Sequence, residues 1–268
     1  MTFLAVDNLS VAYRGVAALS DVTLRLEAGR RLAVLGESGS GKSTLALTVC
    51  RLLPPGASVS GQVIFPGLGT PVLGRDIGVV FQDPGGSLNP VLTIGEQIAE
   101  VAVVHRGRSW RAARAEAARL LDRMGIADAA SALARHPHAF SGGQRQRIAL
   151  AAALAADPVM LVADEPTSAL DTVVQHQMVE LLDGLVRERG LTLLFITHDI
   201  ALASMLGDEV AILFDGRLME AGPVRQVLRA PAHAYTRALL ASRLDLDTPL
   251  GGRLAEIGAD FVVTVPGG

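Results

Sequence analysis

The stretch GESGSGKST, Gly36 to Thr44, holds the residue types that bind a polyphosphate. Its first eight residues fit the spacing of glycine, four residues, glycine, lysine and Ser/Thr. Gly36, Gly39 and Gly41 permit the backbone angles that turn N–H groups inward around a β-phosphate. Lys42 supplies a point charge for the β/γ oxygens, and the Ser43 hydroxyl a ligand for magnesium. The helix expected next points its positive end at the anion. The candidate nucleotide contacts are therefore Gly36, Glu37, Ser38, Gly39, Ser40, Gly41, Lys42, Ser43 and Thr44. A second chemical stretch, VMLVADEP, ends an apolar run on two carboxylates. Asp164 is placed to hold magnesium through a water. Glu165, one step further, is placed to polarise an attacking water. A nucleotide polyphosphate with Mg2+ suits these residue types.

A further anion site stands apart from that one. In AFSGGQRQRIALAAALAA, Ser141 reads as a helix cap, and Gly142 and Gly143 let backbone N–H groups come close to a charged ligand. Gln144 follows. The stretch has helix-dipole and backbone donors but neither lysine nor magnesium ligand, so by itself it is half a site.

Such residues need a frame. FLAVDNLSVAYRG and LSDVTLRLEAGRRLAVLGES alternate apolar and polar positions, which predicts strands with a turn at Ala28-Gly29. RLAVLG, VMLVAD and LTLLFITHD read as buried parallel strands. GKSTLALTVCRLL has helical spacing and should stop before Pro54-Pro55. Strand-like pieces return at Gln62–Phe65 and Ile77–Phe81. From about Pro84 to Ala156 the pattern turns helical, with Gly or Pro between segments. VVQHQMVELLDGLVRERG predicts an amphipathic helix. EVAILFDGRLMEAG predicts a hairpin around Asp215-Gly216, followed by short helices in PVRQVLRA and HAYTRALLAS. The last residues read as a small strand-like appendage or a loose tail. Strands alternating with helices predict a parallel α/β core, here interrupted by a helical insertion.

Composition narrows the classes. The 268 residues are 50% hydrophobic, yet no run reaches the ~18 uninterrupted apolar residues of a membrane span. The start has no basic segment followed by an apolar one, so no signal peptide is expected. The one cysteine, Cys50, forbids an internal disulfide framework and cysteine-cluster metal sites and fits a reducing compartment. A net charge of −3 gives no global attraction to nucleic acid, and the basic run His105 to Arg119 reads as a solvated helix face.

With GESGSGKST, FSGGQRQR, VMLVADEPTSALD and FITHD in this order and spacing, the chain resembles the ATP-binding cassette (ABC) ATPases over nearly its whole length. The resemblance implies a P-loop NTPase (RecA-like) α/β core with an N-terminal antiparallel β subdomain and an inserted α-helical signature subdomain. It implies an ATPase domain over residues 1–230, with the insertion at about 84–156, and a C-terminal tail over 231–268. It also implies roles. Tyr13 stacks on adenine. Gln82 reaches magnesium and the water and senses a transmembrane partner. Ser141, Gly142, Gly143 and Gln144 form the signature that caps the γ-phosphate on a second cassette. Asp171 lies in the loop between two such sites, and His198 contacts the γ-phosphate. Glu165, His198, Gln82 and Lys42 are then the catalytic set, and Ser43, Gln82 and Asp164 the magnesium set.

A finer resemblance, in VFQDPGGSLNPVLTIGEQIAE, HPHAFSGGQRQRIAL and APAHAYTRALL, is to ATP-binding subunits of dipeptide/oligopeptide/nickel importers. Ala234 departs from it, standing where that tail often has proline. The implied partners are a second cassette, the same chain or a different one, in a head-to-tail dimer; two transmembrane permease subunits; and an extracytoplasmic substrate-binding protein. The implied location is peripheral, at the cytoplasmic face of the inner membrane. The loop from Gln82 to Pro90, with Glu100 and Val101, is the expected permease-receiving surface. Peptide, nickel and metallophore all stay open as cargo. The competing readings are a soluble ABC ATPase acting on DNA or ribosomes, and a nucleotide-binding regulatory subunit without catalysis.

Overall fold

A computed structural model describes residues 1–82, 84–167 and 172–244. In chain order the strands are β1 (Thr2–Tyr13), β2 (Val16–Glu27), β3 (Arg31–Leu35), β4 (Ala57–Ile64), β5 (Ile77–Val80), β6 (Met160–Asp164), β7 (Thr192–Ile196), β8 (Glu209–Phe214) and β9 (Arg217–Pro223). Helix α1 (Lys42–Val49) follows β3. Between β5 and β6 come α2 (Pro84–Ser87), α3 (Ile94–Arg106), α4 (Trp110–Arg123), α5 (Ala129–Ala132) and α6 (Gly142–Ala153). Then follow α7 (Thr172–Arg189), α8 (Ile200–Leu206), α9 (Val224–Arg229) and α10 (Ala234–Leu244).

Two sheets form. The N-terminal one is antiparallel, in the order β2-β1-β4. The central one has the order β5-β6-β7-β3-β8-β9, with every neighbouring pair parallel except the β8–β9 hairpin. Every residue of β6 and β7 is buried, as strands covered on both faces require. Their side chains alternate between two cores. Leu193 and Phe195 of β7 join a cluster with α3 to α9, whereas Leu194 and Ile196 join one with β1, β2 and α1. A period-2 strand thus anchors two layers at once.

The helices between β5 and β6 follow local signals. Thr93 and Glu96 form a capping box at the start of α3, and Gly107, at φ 61°, ends it. Ser109 caps α4, whose buried Ala113, Ala117, Leu120 and Leu121 lie on one face at helical spacing. The hairpin expected at Asp215-Gly216 forms, with both residues at positive φ (45° and 71°), as a type I′ turn needs.

Two expectations differ in extent. The helix expected to run to the prolines ends at Val49, because Arg51 takes a left-handed conformation (φ 58°) that no helix can continue through. The strand expected from Gln62 starts at Ala57, because Ala57 pairs with Tyr13 and the partner strand extends it. Residues 245–268, where an appendage or tail was expected, lie outside the described residues.

Leu194 is fully buried in the middle of the central sheet. Replacing it with alanine is expected to cost about 2–5 kcal/mol, whereas Val173→Ala, at a surface position, should stay within about 0.5 kcal/mol. Denaturant unfolding of the two variants measures both.

Candidate functional site

The order of the central sheet sets the site. β5, β6, β7 and β3 are adjacent and parallel, so their carboxyl ends lie side by side. Gln82 follows β5, Asp164 ends β6 with Glu165 next to it, His198 follows β7, and the Gly36–Gly41 loop follows β3. Four stretches far apart in sequence therefore meet at one edge, where open α/β sheets bind ligands. They surround a cavity of about 530 Å³ lined by Ala18, Glu37, Ser38, Gly39, Gly41, Lys42, Ser43, Thr44, Gln82, Glu165 and His198.

The phosphate loop is braced from outside. Gly41, the N-cap of α1, has φ 97°, and a Cβ there would lie 2.6 Å from both the Ala18 carbonyl oxygen and Leu19 Cδ2. Only glycine fits both the angle and the space. The Gly216 N–H donates to the Ser40 carbonyl (3.2 Å), and the Ser20 N–H donates to the Gly216 carbonyl (2.8 Å). The loop is thus tied through the β8–β9 hairpin tip to β2. Lys42 is buried, and its Nζ donates to the carbonyl oxygens of Gly36 (2.9 Å) and Glu37 (2.7 Å), which satisfies a charge out of water.

The carboxylates differ in environment. Glu165 takes a left-handed backbone (φ 45°), an unfavourable conformation for a non-glycine residue, while its N–H donates to the Ile196 carbonyl at 3.0 Å. Its Oε2 accepts from Gln82 Nε2 (3.0 Å), and its Oε1 lies 3.3 Å from His198 Nδ1. Asp164 is only 7% exposed. Burial pushes its carboxyl above the usual range, the Ser43 hydroxyl bonded to it works the other way, and the nearby Glu165 charge pushes it up again. One oxygen, Oδ1, is buried with no hydrogen bond. A buried carboxylate oxygen without a partner, beside a serine hydroxyl, is a donor set suited to a hard divalent cation.

The structure therefore brings Lys42, Ser43, Gln82, Asp164, Glu165 and His198 together. Tyr13 ends β1, half-buried, its hydroxyl 3.5 Å from Thr44 Oγ1, in the first turn of α1. Ser141 caps α6 as expected: its Oγ accepts from the Gln144 N–H (3.3 Å), and Gln144 Oε1 accepts from the Ser141 N–H (2.9 Å). None of Ser141, Gly142, Gly143 and Gln144 lines the cavity. Asp171 lies outside the described residues. The sequence reading missed Ala18, Leu19 and Gly216. They act through backbone and shape, and carry no reactive group; the only signal was the hairpin glycine.

Comparisons with known proteins bear on the family and the fold. A family model described as ABC transporter matches residues 19–168. The chain is 41% identical over 259 residues to a glutathione import ATP-binding protein of Salmonella typhimurium, covering 89% of this chain but only 42% of that protein. It is 42% identical over 245 residues to a putative peptide import ATP-binding protein of Brucella melitensis, covering 85% of this chain and 72% of that protein. Among solved structures, a dimeric bacterial ABC transporter cassette is 31% identical with a TM-score of 0.72, covering 83% of this chain and 99% of that one. A Clostridium perfringens protein described as part of an ABC transporter complex is 28% identical with a TM-score of 0.73, covering 92% and 96%. The chain thus spans less than half the length of the glutathione relative.

Because the folded state disfavours the charged Asp164, the part of the wild-type stability that depends on its neutral form should be lost as pH rises through its raised pKa. Asp164→Asn removes that charge. Without nucleotide or metal, it is expected to raise the melting temperature. The gain should shrink at low pH, where the wild-type carboxyl is protonated. Melting curves across pH measure both.

Proposed function

This chain belongs to the ABC transporter ATP-binding family, and from that premise we propose that it binds and hydrolyses ATP as the cassette subunit of a membrane importer. The observation that carries the reading is the convergence of Lys42, Ser43, Gln82, Glu165 and His198 on one cavity at the carboxyl ends of neighbouring strands. In this reading the loop N–H groups and Lys42 cradle the β- and γ-phosphates. Tyr13, against Thr44 in the first turn of α1, stacks on the adenine. Glu165 takes a proton from, or positions, the water that attacks the γ-phosphorus in line. Gln82 and His198, already against its two oxygens, orient it. Ser43 and Asp164 would hold magnesium, with Gln82 reaching toward it, and the ion when bound supplies positive charge to the β/γ oxygens.

The second anion site completes the scheme on another copy. Ser141 to Gln144 start a capped helix that lies outside the chain's own cavity. Two cassettes head to tail would let each such helix cap the γ-phosphate held by the other, with Asp171 between the two sites. The partner is a second copy or a different cassette. The solved relatives described as dimeric support the pairing. One of them is described as bound to ADP and Pi in a post-hydrolysis state, 31% identical with a TM-score of 0.72, covering 83% of this chain and 99% of that one. Hydrolysis would remove γ-phosphate contacts and loosen the interface.

Relatives named for glutathione and peptide import support cargo of the peptide class; nickel has no such support. Among the described residues no helix is long and apolar enough to cross a membrane. The reading includes two permease subunits and an extracytoplasmic substrate-binding protein, with this chain peripheral at the cytoplasmic face, as the import names of the relatives suggest. Glu100 is exposed on α3, and with Val101 and the segment from Gln82 to Pro90, which holds α2, it forms the proposed permease-receiving surface. In the same reading, residues 1–230 form the ATPase domain around an insertion at about 84–156, and 231–268 form the tail.

Glu165→Gln should retain ATP binding, lower phosphate release by at least ~10²-fold, and in light scattering convert from monomer to dimer when ATP is added. Turnover at the wild-type rate would overturn the role of Glu165. ATP binding without dimerisation would assign the partner to a different cassette.

A further inference from the structure

Helix α10 is fastened to the hairpin that braces the phosphate loop. Glu220, on β9, accepts the Ala232 N–H through Oε1 (2.9 Å) and the His233 N–H through Oε2 (3.0 Å). These two bonds fix the chain just before α10. Tyr235, in the first turn of α10, is then driven into the core: it is 2% exposed, and its ring lies on Phe214 with centroids 4.3 Å apart. Phe214 is the last residue of β8 before the hairpin tip. Leu213, beside it, sets its carbonyl oxygen where a Cβ on Gly36 would come within 2.3 Å, so the end of β8 and the start of the loop are in close contact.

The Tyr235 hydroxyl is the anomaly. A buried phenol oxygen ordinarily has a hydrogen-bond partner, and this one has none of normal geometry. The backbone N–H of Glu37, inside the phosphate loop, lies within its reach, and the Glu37 carboxylate charge is felt at the phenol. Lys42 holds the same residue through a hydrogen bond to the Glu37 carbonyl. Glu37 is therefore the loop residue addressed from both the nucleotide side and the C-terminal helix.

We propose that Tyr235 is a positioning residue for the phosphate loop: held on Phe214, it sets its hydroxyl against Glu37 and so makes nucleotide affinity depend on how α10 is docked. The proposal rests on reading the loop as the ATP site. Its sign is unusual. A hydroxyl buried without a full hydrogen bond does not favour the fold, so removing it should leave stability unchanged or higher. If the oxygen completes its bond when the loop closes on phosphate, removing it should weaken nucleotide binding.

The test compares the full chain with Tyr235→Phe, by titration with a fluorescent ATP analogue and by melting without nucleotide. The expected result is a Kd raised by about 3–10-fold, the range of one hydrogen bond, with an unchanged or higher melting temperature. A Kd within about two-fold of wild type overturns the proposal. A lower melting temperature also overturns it, because the hydroxyl then serves the fold. Glu220→Ala, which releases α10 without touching the loop, should raise Kd as well. Adding Tyr235→Phe to it should cost less than about two-fold more, and full additivity overturns the coupling. A wild-type chain that does not bind the analogue overturns the ATP-site reading itself, a result distinct from the others.

Discussion

The site answers to one electrostatic demand: a buried lysine and a buried carboxylate, grouped with further polar side chains, need a rigid place where all can meet. Parallel strands provide it. Each strand delivers its next residue to the same edge, so four neighbours bring a loop lysine, a glutamine, two carboxylates and a histidine within reach without any of the four stretches being close in sequence. The cost of such an edge is visible in its details. Asp164 is buried with an unpaired oxygen, and Glu165 sits in a left-handed backbone. Both are arrangements that stability alone would not select, and they lie side by side.

The rest of the fold makes that edge stiff. The alternation along β7 divides apolar side chains between two cores, one built with the helices between β5 and β6 and one with the antiparallel sheet. Movement of either layer is therefore resisted through the same strands. The loop gains further support from outside the sheet, through Gly216 and Ser20, and through α10 by way of Phe214.

Much of this was legible in the sequence, for physical reasons that can be named. The buried strands announced themselves as short apolar runs because both of their faces are covered. The hairpin was readable because a two-residue turn with both residues at positive φ leaves a characteristic Asp-Gly. The chemical residues were readable because phosphate binding fixes both type and spacing. What was not legible depends on contacts across the chain. Helix α1 is shorter than its pattern because Arg51 turns left-handed, and β4 is longer because Tyr13 recruits Ala57. Ala18 and Leu19 escaped notice because they act by shape and by a carbonyl oxygen, which no residue type signals. Tyr235 was read only as part of a short helix. Its place against the loop comes from α10 folding back on β9, which no local pattern encodes.

The β1–β2 hairpin has a geometric consequence of its own. Tyr13 ends one strand and pairs with Val16, and Ala18 to Ser20, a few residues along, press against Gly41 and hold Gly216. The aromatic ring and the buttress of the phosphate loop thus ride on a single short ribbon, like the two jaws of a caliper. Their separation is set by backbone pairing and not by whatever lies between them, which makes the ribbon a fixed gauge of the distance from that ring to the loop.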